Sequence, residues 1–381
     1  MRVLMVLTYY HPHWTGLTAY ARRLAEGLAR RGHAVTVLTS RHKPELPAEE
    51  TLGGVRVVRL PVALRLSRGV VMPSFLRALG RELQGTDLVQ MHTPLFEAPL
   101  VTLAARRRRI PSVFTHHGDL VMPAGGFNRV VETIVTSAMT QALKMATRIT
   151  VHSRDYAENS KFLWPFADKL DCIYPPAELP APDRAAAGRW KEELGLAGHS
   201  LVGFAGRWVE EKGFDYLLRA IPMALAKMPD ARFVYAGEEP FYENFFEKCR
   251  PLLDPVRSSL TTLGLVTDPH KLSSFYAMSD VFTVPSRTDC FPSTQIEALL
   301  CGTPLVTADI PGAREVVLVT GMGLLVPPRD PEGLAAGIVE ALTHRERYVK
   351  PPEQVRAVFD LEKSVSEYER LFAKLVGGKT A

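Results

Sequence analysis

The first 40 residues already restrict the chain to one fold class. Residues 3–8 (VLMVLT) form a compact apolar run of strand length, and 11–17 read as a loop with Pro12 and Gly16. Residues 19–31 place Tyr20, Leu24 and Leu28 on one helical face and Arg22, Arg23 and Arg30 on another, Gly32 stops that helix, and 34–39 repeat the strand pattern. A strand with no polar alternation is covered on both faces, as in a parallel sheet. Strand, crossover helix and second such strand make a βαβ unit, so the chain is α/β.

The alternation continues. Residues 87–91, 112–115 and 148–152 read as strands and 127–145 as a long helix. A proline-rich stretch without periodicity (IYPPAELPAP, from residue 173) reads as a linker. A second series follows, with strands at 201–205, 231–236, 262–263, 281–284 and 304–307 and a helix at 215–226. The chain closes on an amphipathic helix over 361–375, with Val365, Tyr368, Leu371, Phe372 and Leu375 at helical spacing. With 381 residues the chain exceeds one ordinary core. The expected organisation is a domain over 1–177, a second over 178–360 and a terminal helix over 361–381.

Composition excludes several classes. With 46% hydrophobic and 23% charged residues the chain is an ordinary globular protein. No apolar run approaches the roughly 20 residues that span a bilayer, and the run 3–7 is read as a strand, not a signal core. Cys172, Cys249, Cys290 and Cys301 are scattered, which suits a reducing cytoplasm better than a disulfide framework or a zinc site. The net charge is +5, and the stretch 51–81 carries Arg56, Arg59, Arg65, Arg68, Arg77 and Arg81 without an acid. Arg106 to Arg109 form a second basic run. Basic residues among Val, Leu, Met and Phe suit an anionic membrane surface, and equally a solvated basic face. Nucleic acid is not expected, since no binding motif accompanies the charge.

Ligands of open α/β sheets sit beyond the carboxyl ends of the strands, and the chemistry-bearing residues cluster there. In FAGRWVEEKG a strand runs into Gly206, followed by Arg207 and Lys212, a planar fork and a point charge that suit a diphosphate. The alternative is two solvated cations paired with Glu210 or Glu211. In PSRTDCFPSTQIEALLCGTP, Asp289 and Glu297 stand eight positions apart across a loop and the first turn of a helix. Free amides at that helix start suit phosphate oxygens. Against this, Thr294-Gln-Ile-Glu297 matches a capping box, and Asp289 suits a turn. In VFTHHGD, His116 and His117 follow a strand, placed to donate to a sugar hydroxyl or to serve structure. In YHPHWTGL, Gly16 allows close backbone approach to a ligand. No Asp-x-Asp pair, H-E-x-x-H, Walker loop or G-x-G-x-x-G occurs.

This constellation resembles glycosyltransferase family 4, retaining enzymes of the GT-B fold, over nearly the whole chain. The most specific parts are Gly206-Arg207 with Glu211-Lys212-Gly213, and Pro285-Ser286 through Glu297-Ala298 to Gly302-Thr-Pro. The resemblance implies two Rossmann-like domains facing across a cleft, with the closing helix crossing back to the first. It implies that Arg207 and Lys212 bind the donor diphosphate, that Asp289 lies near the donor sugar, and that Glu297 holds the ribose. It places Phe291, Ser293 and Thr294 in the loop that meets phosphate and sugar. His117 falls near the donor sugar, Gly206 and Gly16 fall in the glycine loops, and Val266 falls in the segment that receives the nucleobase. Asp289 replaces the usual glutamate, Pro292 a usual glycine and Thr15 the first of a glycine pair. The expected catalytic set is Asp289, His117, Arg207 and Lys212.

The reaction this implies is transfer from a nucleotide-diphosphate sugar, with retention and with no metal or other cofactor. The acceptor would be a glycan or a lipid-linked molecule, reached from the cytoplasm or the inner membrane face. A UDP-sugar 2-epimerase of the same architecture and a non-catalytic sugar-nucleotide-binding relative are the competing readings.

Overall fold

A computed structural model describes residues 1–66, 69–120, 125–237 and 245–378. The chain divides into two compact units, Met1–Pro176 with Leu361–Ala381, and Ala177–Asp360.

The first unit contains β1 (Arg2–Val6), β2 (Ala34–Ser40), β3 (Glu49–Leu52), β4 (Val55–Leu60), β5 (Leu64–Leu66), β6 (Gly69–Val71), β7 (Leu88–Thr93), β8 (Ser112–His116), β9 (Arg148–Val151) and β10 (Leu170–Cys172). Its main sheet has the order β10-β9-β8-β7-β1-β2-β4-β3, parallel except for β3, and β5 and β6 form a separate hairpin. The order reverses between β1 and β7, so these two strands flank the crevice of this sheet.

The first helix spans Gly16–Arg30 and starts three residues before the apolar spacing suggests. Thr15 is the reason. Its hydroxyl accepts from the Thr18 amide at 3.2 Å, and the Thr18 hydroxyl accepts from the Thr15 amide at 2.9 Å, a reciprocal cap that two threonines build. The closing helix, Leu361–Gly377, packs on this unit and contributes Leu361, Val365, Tyr368 and Phe372 to the core around Val3, Met5, Leu24 and Leu28. The Tyr368 hydroxyl lies 2.6 Å from that of Tyr20 and donates to Thr150 at 3.0 Å.

Part of the basic stretch 51–81 is strand, and acids just outside the window pair with Arg56, Arg59 and Arg81. Arg56 pairs with Glu49 at 2.6 Å and with Glu82 at 2.5 Å, and the Arg59 side chain is fully buried against Glu50. Arg81 pairs with Glu82 and Arg65 donates to the His42 carbonyl. Arg68 lies outside the described residues. The stretch is therefore not a continuous unpaired basic face.

The second unit contains β11 (Ser200–Ala205), β12 (Ala231–Ala236), β13 (Leu260–Thr262), β14 (Val281–Val284), β15 (Leu305–Ala308) and β16 (Gly323–Val326). All pair in parallel, in the order β13-β12-β11-β14-β15-β16. This is a doubly wound arrangement, whose switch point lies between β11 and β14. Phe204, Trp208, Phe214, Leu217, Phe233 and Tyr235 form its core under the helix Phe214–Lys227.

Candidate functional site

The loops after β11 and β14 meet at the switch point of the second unit. After β11 the chain turns at Gly206, whose φ of 133° an L-residue rarely adopts. Arg207 is exposed, and Trp208 drops into the core between Phe204, Phe214 and Tyr235. That buried indole, with the buried Val209 beside it, anchors the loop. A single turn, Glu210–Lys212, then ends on Gly213, which has φ 67°. A Cβ at Gly213 would stand 2.0 Å from the Pro285 carbonyl oxygen, so the two loops touch backbone to backbone.

Arg287 ties them further. Its amide donates to the Glu211 carbonyl at 2.8 Å and its guanidinium to the Glu210 carbonyl at 2.6 Å. The same group grips Asp215 with two bonds of 2.8 and 2.7 Å and lies over the Tyr216 ring. Bidentate pairs of this kind fix orientation as well as proximity. Lys212 and Asp289 are thereby brought together, and the Lys212 ammonium donates to Asp289 at 2.5 Å. The pairing of Lys212 with Glu210 or Glu211 considered from sequence is not formed. Asp289 also faces the fully buried Ser286, whose hydroxyl is 3.5 Å away.

From the other side Gly312, φ 82°, packs against this loop, and a Cβ there would stand 2.1 Å from the Cys290 carbonyl oxygen. Phe291 turns inward against Phe359. The next helix, Ser293–Leu300, has Pro292 as its N-cap and no side-chain capping bond. This excludes the capping box, since Thr294 is the second residue of the helix and not its cap. Ser293 and Thr294 are half-buried, and the first amides of a helix have no partner within it. Proline at the cap costs no intrahelical bond. Glu297 is 6% exposed and accepts from the Tyr276 hydroxyl at 2.9 Å. Val266 follows β13 half-buried, two strands from the switch point, beyond Gly264, whose carbonyl accepts from Gly237.

Among the first unit's predicted residues, Gly16 opens the capped helix with nothing within 4 Å of a Cβ placed there. His117 differs from expectation. Its Nε2 lies 2.9 Å from His92 Nδ1 and its Nδ1 lies 3.2 Å from His152 Nε2, so both ring nitrogens are engaged by other histidines. The three rings stand at the ends of β7, β8 and β9, and Tyr20 packs on all of them. The ring nitrogen expected to meet a sugar hydroxyl is thus already committed. His116 is fully buried, 3.0 Å from Asp119, which also accepts from Ser160.

Burial holds the His92 imidazole at about 3. Burial, then the charges of His116 and His92, hold His152 at about 3 as well. Burial and the neighbouring histidines depress His117 too. A histidine depressed below its unfolded value of about 6.5 binds more protons unfolded than folded, so its contribution is complete above that pH and lost as the pH falls toward 3. Stability of the first unit is therefore expected to fall as the pH drops below about 6.5, with His92 and His152 acting in the same direction. Urea midpoints at pH 7, 6 and 5 measure it, and equal midpoints would contradict the neutral cluster.

Sequence reading assigned no role to His92, His152, Arg287, Tyr276 and Gly312. His152 left a signal, as a histidine ending the strand read over 148–152. Among the described residues no group of three or more His, Cys, Asp or Glu side chains is placed to hold a metal ion.

Residues 199–344 match the family described as Glycosyl transferases group 1, and residues 15–175 match that described as Glycosyl transferase 4-like domain. The chain is 27% identical over 360 residues to a GDP-mannose-dependent alpha-(1-6)-phosphatidylinositol monomannoside mannosyltransferase of Mycolicibacterium smegmatis, covering 91% of this chain and 90% of that one. Its fold matches sucrose-phosphate synthase from Thermosynechococcus elongatus with a TM-score of 0.82 at 22% identity, over 99% of both chains. It also matches Anabaena HepE in complex with UDP-glucose, with a TM-score of 0.79 at 19% identity, over 98% of this chain and 100% of that one.

Proposed function

This chain belongs to the glycosyltransferase family 4 group of the GT-B fold, and on that basis we propose that it moves a sugar from a nucleotide-diphosphate sugar with retention of configuration, without a metal ion. The observation that carries the donor assignment is the convergence of Lys212, Asp289 and an uncapped helix start where β11 and β14 diverge. Arg207 follows the same strand end. Cations and oriented amides at that place stabilise charge that builds on a departing diphosphate. Glu297 would hold the ribose, and the 264–266 segment the nucleobase. The metal-free part rests on the absence of an Asp-x-Asp pair from the sequence and on protein cations in its stead.

His117 would act through its main chain and the shape of its ring, since its nitrogens serve His92 and His152. The acceptor we favour is lipid-linked, by analogy with the mycolicibacterial mannosyltransferase, reached from the cytoplasmic side of a membrane. No described helix is long and apolar enough to cross one.

A thermal-shift screen of GDP-, UDP-, ADP- and dTDP-sugars tests the donor. A donor at 100 times its Kd should stabilise by about 2.7 kcal/mol. That shift and the subsequent release of nucleoside diphosphate should persist in EDTA, whereas loss of turnover that Mg²⁺ restores would overturn the metal-free reading. UDP-GlcNAc incubated alone should yield no epimer.

A further inference from the structure

We infer that Asp289 is a displaceable counter-ion that holds Lys212 and yields it to the donor diphosphate. This rests on the donor assignment above and deepens it. The ammonium and carboxylate meet at 2.5 Å, with the Lys212 side chain 27% exposed and that of Asp289 14% exposed. The lysine is therefore neither free nor sealed. An anion arriving from solvent can reach it, but only in competition with a carboxylate already in place.

The backbone on both sides leaves Asp289 little freedom to retreat. Gly213 lies against Pro285, Gly312 against Cys290, and Arg287 bonds the 285–290 loop to the Glu210–Lys212 turn. Lys212, with four rotatable methylenes, is the mobile partner. When a diphosphate takes the ammonium, the Asp289 carboxylate loses its counter-charge. It must then find a new donor, and Ser286 at 3.5 Å and the sugar hydroxyls of a complete donor are the groups in reach. A nucleoside diphosphate alone supplies the anion without the hydroxyls. A sugar nucleotide supplies both, so the exchange favours the complete donor over the spent one. Asp289 is in this sense a positioning residue whose short side chain makes the pair.

Removing a residue from the site should tighten binding of the product. Asp289→Asn abolishes the competing charge at nearly constant volume. Its affinity for the nucleoside diphosphate is expected to rise about two- to fivefold, the range of a partly exposed ion pair. Its turnover of the sugar nucleotide should fall. A merely structural role predicts weaker binding instead.

Isothermal titration of GDP, UDP, ADP and dTDP into the wild type, Asp289→Asn, Lys212→Ala and the double variant decides it. The expected pattern is tighter binding in Asp289→Asn and no further gain when that change is added to Lys212→Ala, since the coupling runs through the ammonium. Asp289→Asn with unchanged or weaker affinity, while folded by circular dichroism, overturns the inference. So does an equal gain in the Lys212→Ala background. If Asp289→Asn does not fold, Asp289→Ser serves in its place with the same two outcomes. A wild type that binds none of the four nucleotides overturns the donor assignment itself.

Discussion

Lys212→Ala is expected to lower kcat/KM for the proposed sugar-nucleotide donor by roughly ten- to hundredfold, with most of the loss in kcat. The size follows from the bond removed. A charge-assisted hydrogen bond contributes about 1.5–3 kcal/mol, and each 1.4 kcal/mol is a factor of ten in rate. The division between kcat and KM follows from when the charge appears. The diphosphate gains negative charge as the glycosidic bond breaks, so an ammonium on it is worth more in the transition state than in the ground state. Lys212 comes from a turn anchored by Trp208 and stopped by Gly213, so truncating its side chain leaves the loop standing. Arg207→Ala should act in the same direction. Steady-state kinetics on both variants test the assignment, and wild-type constants in both would remove the centre of the proposed site.

Gly213→Ala is expected to cost the second unit about 3 kcal/mol and to lower activity at least tenfold. The φ of 67° alone charges an L-residue about 1–2 kcal/mol. The added methyl would then meet the Pro285 carbonyl at 2.0 Å. Backbone cannot swing aside as a side chain does, so the loops must part. Parting them stretches the Arg287 amide bond to Glu211 and the Lys212 bond to Asp289. For a unit of this size a loss of about 3 kcal/mol lowers Tm by roughly 6–12 °C. Calorimetry measures the first effect and initial rates the second. A variant with unchanged Tm and rate would show that the loops do not depend on this contact.

The two predictions differ in how much of their basis the sequence carried. Lys212 was legible because a cation after a strand and a glycine is a local pattern. Its partner was not. Glu210 and Glu211 are its neighbours in sequence, and the carboxylate it takes lies 77 residues away. In the same way Arg56 and Arg59 looked like an exposed basic stretch until β3 and β4 paired and brought Glu49 and Glu50 beside them. Glu297 fitted a capping box by spacing, yet the helix starts one residue before Thr294 and leaves the carboxylate to Tyr276. His117 was visible as a histidine at a strand end. That two further histidines would occupy both its nitrogens depended on the adjacency of β7, β8 and β9.

What the sequence determined alone was everything with a short period. Apolar runs, helical faces and glycine stops set the α/β class and the two strand–helix series, because burial of a strand or a helix face requires a repeat within a few residues. Only the tertiary structure decided which charges pair with one another, which histidine rings meet, and which backbone atoms touch at the switch point. Those pairings join positions tens of residues apart through sheet order, and sheet order is a property of the packed chain.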